Sequence, residues 1–509
     1  MGNVVAIDAG TTGVRALVVD ERARVVDVAY REITQSFPRP GWVEHDPVEI
    51  WDAVCATLAE VGGRLAEAGG TVAAIGITNQ RETLVAFDRS DGRPLHWAIV
   101  WQDRRTADIC AALEHEGHLP MVRGRTGLVL DPYFTATKIT WLLRQGELAL
   151  SAGDPDLAFG TVDSWLLWNL TGGTAGGQFA TDPSNASRTM LLDTATLAWS
   201  ADLCALFGVP PHTLAEVRPS AGRFGLAQLP DLGPATAVLH GVPVSGVLGD
   251  QQAALFGQAC IDPGMVKVTY GTGSFALANV GPDRPPAPDG LTVSCAWDLG
   301  EHADGRGRVA YALEGSAFVS GAAIQWLRDG LGIISSAAEV GPLAASVPDS
   351  GGVTFVPALT GLGSPWWDPR ARGIVTGLTR GVGRAHLARA CVEGMAFQVR
   401  DMTDAMAAAS AHPLSALRAD GGAAAMDLLL ELQAEQSRMP VARSSSLEST
   451  ALGAATLAGL AEGVWTSLVE LAGLWRAETV FEPRLPVELT DALHDVWRRA
   501  VEKSMGWAG

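Results

Sequence analysis

A chain of 509 residues is too long for one hydrophobic core and fits two domains of about 250 residues each. Hydrophobic residues make up 47% and charged residues 18%, the balance of an ordinary globular enzyme. A formal net charge of −19 leaves no basic excess to displace counterions, which excludes nucleic acid and anionic membrane as principal partners.

The opening Met-Gly-Asn and Val4–Asp8 lack the basic start and apolar length of a signal peptide, and no apolar run of spanning length follows. The six cysteines (Cys55, Cys110, Cys204, Cys260, Cys295, Cys391) are scattered without a CxxC pair and read as buried thiols of a reducing compartment. The expectation is a cytoplasmic protein with no membrane insertion.

In chain order, Val4–Asp8 is a strand, Ala9-Gly10-Thr11-Thr12-Gly13 a turn, and Arg15–Asp20 and Val25–Arg31 two further strands of an antiparallel meander. Trp51, Val54, Leu58 and Val61 recur at helical spacing and predict an amphipathic helix over Pro47–Glu67. Val72–Ile77 is a buried strand that runs into Thr78-Asn79-Gln80-Arg81-Glu82-Thr83, and the apolar strand Val242–Leu248 ends just before Asp250. The opening pattern then returns, with strand Met265–Tyr270, turn Gly271-Thr272-Gly273-Ser274 and strand Phe275–Asn279. Strand, Gly-Thr turn, strand therefore occurs twice about half a chain apart, by internal duplication or by the coincidence of two common turns. A third glycine turn, Asp420-Gly421-Gly422-Ala423, lies between strand Ala416–Ala419 and a helical run over Ala424–Ser437, a place where backbone N–H groups can meet an anion or nucleotide. A domain boundary is expected near Gly257–Pro263, dividing the chain into 1–257 and 258–509.

Gly-Thr turns suit phosphate, because glycine lets the backbone approach oxygen and threonine adds a hydroxyl donor. The only lysines are Lys138, Lys267 and Lys503, and none follows a glycine directly, which excludes a Walker P-loop. HRD and DFG tripeptides are absent, and GxGxxG is missing from the opening turn, so protein-kinase and dinucleotide folds are excluded too. Phosphate clamped between two hairpin turns of an actin/hexokinase type of site remains.

Several residues allow two roles on chemistry alone. Arg81-Glu82 at a strand end can donate to one hydroxyl and accept from its neighbour, as a vicinal polyol requires, or form a surface ion pair. Trp101 and Phe275 can cover a small carbon chain, with Tyr133 and Gln251 contacting its hydroxyls, or Trp101 and Tyr133 can serve the core. Asp250 can take a proton from an attacking hydroxyl or cap a helix starting near Gln252. Asp8 can orient magnesium-bound water or simply follow a strand into a turn.

The segments Gly41-Trp42-Val43-Glu44-His45-Asp46-Pro47, Gly76-Ile77-Thr78-Asn79-Gln80-Arg81-Glu82-Thr83 and Ile99-Val100-Trp101-Gln102-Asp103-Arg104-Arg105-Thr106 carry a family resemblance. It continues through Asp131-Pro132-Tyr133-Phe134, Gly160-Thr161-Val162-Asp163, Gly249-Asp250-Gln251-Gln252-Ala253-Ala254-Leu255-Phe256-Gly257, Tyr270-Gly271-Thr272-Gly273, Ile324-Gln325-Trp326-Leu327-Arg328-Asp329 and Thr450-Ala451-Leu452-Gly453-Ala454-Ala455. In this ordered series, which covers nearly the whole chain, the sequence resembles the FGGY carbohydrate kinases, and among them the glycerol kinases.

The resemblance implies an α/β fold of two actin-like (ribonuclease H-like) domains flanking a cleft, ATP and Mg²⁺ as cofactors, and a homo-oligomer, dimer or tetramer. It makes Asp250 the catalytic base and assigns glycerol to Arg81, Glu82, Trp101, Tyr133, Asp250, Gln251 and Phe275. It carries ATP to Thr11, Thr12, Gly13, Arg15, Thr272, Gly321, Gln325, Gly422 and position 426, and the metal to Asp8. Kinases of a pentitol, a pentulose or erythritol, and a non-catalytic actin-like nucleotide switch, are the competing expectations.

Two positions depart from the family. Members generally read Asp-Gln-Gly-Thr-Thr-Ser-Ser-Arg where this chain has Asp8-Ala9-Gly10-Thr11-Thr12-Gly13-Val14-Arg15, so a serine hydroxyl is lost at Gly13 although a backbone N–H remains. Members also have asparagine where Met426 stands, and a helix through 427 would turn Asp427 away from that place. Loop 228–241 follows no pattern that carries over.

Overall fold

Val5, Ile7 and Ala9 point to one side of the opening strand and Val4 and Ala6 to the other, and all five are buried. Such a strand must be covered on both faces. In the computed structural model, which describes residues 2–145 and 151–508, it is the centre of a six-stranded sheet. The strands are β1 (Asn3–Ala9), β2 (Gly13–Val19), β3 (Val25–Glu32), β4 (Val72–Asn79), β5 (Ala221–Leu226) and β6 (Pro243–Gly249), in spatial order β5-β6-β4-β1-β2-β3. The β1-β2-β3 meander is antiparallel, whereas β1, β4 and β6 run parallel.

Helix α1 (Pro47–Glu67) covers one face over the span its periodicity predicts. It starts there because the Asp46 carboxylate accepts from Val48 N at 2.8 Å and Pro47 enters the first turn, where its missing N–H costs nothing.

The second half repeats this plan. Its seven-stranded sheet contains β7 (Met265–Tyr270), β8 (Ser274–Gly281), β9 (Thr292–Asp298), β10 (Val309–Ala317), β11 (Ala416–Asp420), β12 (Val441–Ser444) and β13 (Ala477–Phe481), in the order β9-β10-β8-β7-β11-β12-β13. The run β10-β8-β7-β11-β12 has the same sequence of antiparallel and parallel neighbours as β3-β2-β1-β4-β6. The twice-met strand–turn–strand pattern is therefore a duplication at the level of topology, and coincidence is set aside.

The two sheets face each other across two helices, α2 (Asp250–Gly257) and α6 (Ser449–Ala461). Between them in sequence lie α3 (Gly321–Asp329), α4 (Arg384–Ala409) and α5 (Asp427–Ser437). Val4, Ala6 and Leu17 of the first sheet and Leu277, Ala310 and Ala312 of the second share one core with both helices. The helices touch backbone to backbone: a Cβ on Gly257 would lie 2.0 Å from the Ser449 carbonyl oxygen, and one on Gly453 1.9 Å from that of Ala253. Glycine is required at both places. A separate core around Phe134, Phe159 and Phe207, beside a small sheet built on Leu84–Asp88 and Leu157–Thr161, supports the loops that carry Trp101 and Tyr133.

Two local expectations are corrected. Helix α2 begins at Asp250 and its N-cap is Gly249, so Asp250 is the first helical residue and not a cap. The helical run over Ala424–Ser437 is a short 3₁₀ turn, Gly422–Ala425, followed by α5 from Asp427, because Met426 is extended (φ −87°, ψ 107°). Met426 is the N-cap of α5 and not a residue inside a continuous helix; it and Asp427 line one cavity, while the Asp427 carboxylate accepts from Arg443 at 2.7 Å.

Candidate active site

Arg81 and Glu82 leave the carboxyl end of β4 and are buried, as is Glu314 on β10 of the other half and Arg188 from the first; each is at most 2% exposed. Burying four charges is tolerable only if they neutralise one another and fill their hydrogen bonds. Arg81 grips Glu314 through both terminal nitrogens, at 2.8 and 2.9 Å, and also donates to Tyr133 Oη at 3.0 Å and Gln252 Oε1 at 3.2 Å. Arg188 donates to Glu82 at 2.7 Å and meets Glu314 at 3.1 Å. Burial raises the Glu314 carboxyl, but Arg188 and Arg81 overcome it and hold the group at about 2. Burial lowers Arg81, and Glu314 with Glu82 outweighs that and lifts it well above its ordinary value.

Within this cluster one polar atom stays unfilled. Arg81 Nε is buried without a hydrogen-bond partner, although Asp250 Oδ1 lies 3.2 Å away and Glu82 Oε1 3.5 Å. A donor held between two carboxylates fits a ligand that both accepts and donates, which a hydroxyl does. Burial raises the Asp250 carboxyl above its usual range, Arg81 pulls it down and Glu82 pushes it up. Next to it, Gln251 Oε1 accepts from Lys267 Nζ, which also donates to Thr269 Oγ1 at 3.1 Å. Burial brings Lys267 down to about 8, against Asp420 and Asp250.

The aromatic wall is continuous with the first Gly-Thr turn. Trp101 Nε1 donates to Thr11 Oγ1 at 2.9 Å, and its ring meets Tyr133 edge-on at 5.6 Å between centroids. Strand register places Phe275 opposite Thr269 and Ser316, on the face of β8 that also carries Leu277 toward the other half.

The second Gly-Thr turn opens on a cavity of about 780 Å³. Thr272, Gly321, Gln325, Gly422 and Met426, all assigned to nucleotide from the sequence, line it together. Gly321 has to be glycine, as a Cβ there would lie 2.6 Å from the Gly271 carbonyl oxygen. The other four nucleotide candidates are not on this cavity. Thr12 faces a smaller one of about 460 Å³ with Glu32 to Gln35, and Arg15 forms an ion pair with Glu448 at 2.8 Å. Asp8 and Arg15 are cross-strand partners on the inner face of the first sheet. Burial raises the Asp8 carboxyl to about 7, Arg15 opposes this, and Asp250 and Glu448 add to it.

Sequence reasoning missed Glu314, Arg188, Gln252, Lys267 and Glu448. A signal existed for two of them: Glu314 is the lone charge in the strand Val309–Ala317, and Lys267 the lone charge in Met265–Tyr270. A charge kept within an apolar strand implies a partner across the sheet face.

The N-terminal domain profile of the FGGY family of carbohydrate kinases matches residues 3–257, and the C-terminal domain profile matches residues 266–462. The chain is 50% identical to a glycerol kinase of Symbiobacterium thermophilum, an alignment covering 100% of this chain and 99% of the relative. It is 51% identical to a glycerol kinase of Trichlorobacter lovleyi, covering 100% of both. Among solved structures, a Plasmodium falciparum glycerol kinase with ADP superposes with a TM-score of 0.91 at 32% identity, covering 99% of this chain and 98% of the other. A xylulose kinase of Lactobacillus acidophilus superposes at 0.87 with 22% identity, covering 99% of each, a likeness of fold alone. With profiles matched across both halves, and with relatives of this identity over the full length, the chain belongs to the FGGY family of carbohydrate kinases.

Proposed function

We propose that this enzyme transfers the γ-phosphoryl group of ATP to a terminal hydroxyl of glycerol, giving sn-glycerol 3-phosphate and ADP, and that it divides into domains 1–257 and 258–509. The observation that carries the choice of acceptor is the unfilled Arg81 Nε between Asp250 and Glu82. Glycerol offers adjacent hydroxyls that can accept from Nε and donate to the two carboxylates. Trp101, Tyr133 and Phe275 would cover its carbon chain, and Gln251 would take a further hydroxyl. The full-length relatives at about 50% identity are named glycerol kinases, which supports the reading.

Asp250 accepts the proton of the attacking hydroxyl as that oxygen bonds to phosphorus, and the raised position of its carboxyl makes it a better base than an exposed aspartate. Thr272, Gly321, Gln325, Gly422 and Met426 hold the nucleotide in the larger cavity, while Thr11, Thr12, Gly13 and Arg15 face the transferring phosphate. The half-buried Asp8 carboxylate, raised by desolvation and pushed further up by Asp250 and Glu448, fits a divalent cation, which would relieve that repulsion. Magnesium would supply charge neutralisation on the phosphates. Cytosolic location and homo-oligomeric assembly complete the proposal, and among the described residues no helix is long and apolar enough to cross a membrane.

Release of ADP should be fastest with glycerol in a panel with erythritol, xylitol and ribulose. A higher kcat/KM for one of the others would overturn the acceptor while leaving the family intact.

The placement of Met426 sharpens an expectation for the nucleotide. It lacks a capping side chain at the start of α5 and packs toward Gly341, with its Cγ 3.1 Å from where a Cβ on that glycine would sit. Met426→Asn should tighten an ATP analogue by one net hydrogen bond, about 0.5–1.5 kcal/mol or two- to tenfold. It should also raise thermal stability by about 1 kcal/mol through the new cap. Calorimetric titration and a melting curve separate the two effects. Weaker analogue binding would mean that methionine packs on the nucleoside.

A further inference from the structure

Antiparallel partners share a sheet face, so the pairings Asp8↔Arg15 and Arg15↔Tyr30 put these three side chains in one row on the inner face of the first sheet. Leu17, two residues from Arg15 on the same side, belongs to the core between the halves, which fixes that face as the inner one. Tyr30 is 46% exposed there, unlike its neighbour Ala29, which is buried on the opposite face.

Tyr30 touches the first Gly-Thr turn at two points and the strand that follows it at a third. Its hydroxyl donates to the Thr12 carbonyl oxygen at 3.2 Å. Its ring lies under the Arg15 guanidinium, 5.8 Å from centroid to Cζ. It also fills the space beside Gly13: a Cβ on that glycine would fall 2.3 Å from Tyr30 Cε2 and 2.5 Å from Tyr30 Oη. The Arg31 carbonyl oxygen would be 2.6 Å from the same Cβ, so a serine cannot return to position 13 without moving β3. The phenolic oxygen thus stands about where a side-chain hydroxyl at position 13 would begin.

We infer that Tyr30 is a nucleotide-binding residue whose O–H supplies the phosphate contact that the side chain at position 13 lacks, while its ring holds Arg15 over the turn. The inference rests on the proposed nucleotide site, and specifically on the turn Gly10–Gly13 facing phosphate. The hydroxyl is held on the Thr12 carbonyl. Rotation about the C–O bond redirects it to a phosphate oxygen without moving the ring, at the expense of one neutral hydrogen bond. A hydrogen bond to a charged oxygen is the stronger of the two.

The test is Tyr30→Phe in the full-length enzyme, which removes the hydroxyl and leaves the ring under Arg15. Calorimetric titration with AMP and with a nonhydrolysable ATP analogue should show the variant weaker than wild type for the triphosphate by about ten- to hundredfold, as for loss of one bond to a charged group, with AMP affinity unchanged. Equal triphosphate affinity in the two proteins overturns the inference. So does an equal loss for AMP and triphosphate, which would make Tyr30 a support of the fold alone. If wild type binds the analogue yet phosphorylates no glycerol, the proposed acceptor fails and the inference about Tyr30 is judged on the titrations as they stand.

Discussion

Asp250→Asn is expected to lower kcat by about 10²–10⁴-fold while the protein still folds. Asparagine has the same size and keeps an oxygen to accept from Gln251 N, the 2.7 Å contact that aspartate makes now. It cannot take a proton at that oxygen, so the loss should fall on kcat and only weakly on the KM for glycerol. Stability should change little. The substitution removes one favourable charge from the first turn of α2, worth about 0.3–1 kcal/mol, and it relieves a buried cluster of two arginines and three carboxylates of its excess negative charge. In the wild type, activity should fall on the acid side as Asp250 takes up its proton, at a pH above that of an ordinary aspartate because burial raises the group. Steady-state kinetics beside a melting curve decide the matter: near-normal kcat would reduce Asp250 to a helix residue.

The second large effect is expected at Glu314, which no motif marked. Glu314→Gln leaves Arg81 and Arg188 with Glu82 and, beside Arg81, Asp250 as carboxylate partners, and breaking a buried pair in this way costs about 3–5 kcal/mol. The guanidinium of Arg81 then loses the two bonds that aim its Nε at the substrate. A displacement of about 1 Å at such a group can lower turnover on the order of 10²-fold. Glu314 touches no reacting atom and is a positioning residue, so a readout beyond activity is needed. With Glu314 neutral, the two arginines stabilise the Asp250 carboxylate, its pKa falls, and the acid limb of kcat/KM should move to lower pH. Glu314→Asp keeps the charge and should leave the limb in place while still losing geometry. An unmoved limb in Glu314→Gln, with kcat near normal, would make the contact merely one of packing.

Much of this protein was written locally. Bounds of α1 and β7 follow from periodicity and from the residues that start and stop them, Asp46 and Pro47 in the first case and the glycine turn in the second. The same is true of the repeated strand–turn–strand, because a hairpin is a short-range object whose turn residues lie beside their own strands. Exclusion of the P-loop and dinucleotide folds needed only the residues next to each glycine.

What the chain alone left undecided was set by separation. Whether Asp250 begins its helix or caps it depends on a boundary of one residue, whereas the glycine contacts that seat α2 against α6 join positions nearly 200 apart. The extended backbone of Met426 ends the 3₁₀ turn and starts α5 afresh at Asp427, contrary to the expectation of a continuous helix.

Glu314 lies 233 residues from Arg81, and nothing in either neighbourhood names the other. Their pairing exists because two duplicated sheets turn their inner faces toward one another and charges buried there must be neutralised across the gap. The sequence by itself determined the elements, the duplication's outline and the residue types able to handle phosphate and polyol. Only the tertiary structure decided which charges meet, since burial and Coulomb attraction act through space and leave no periodic mark along the chain.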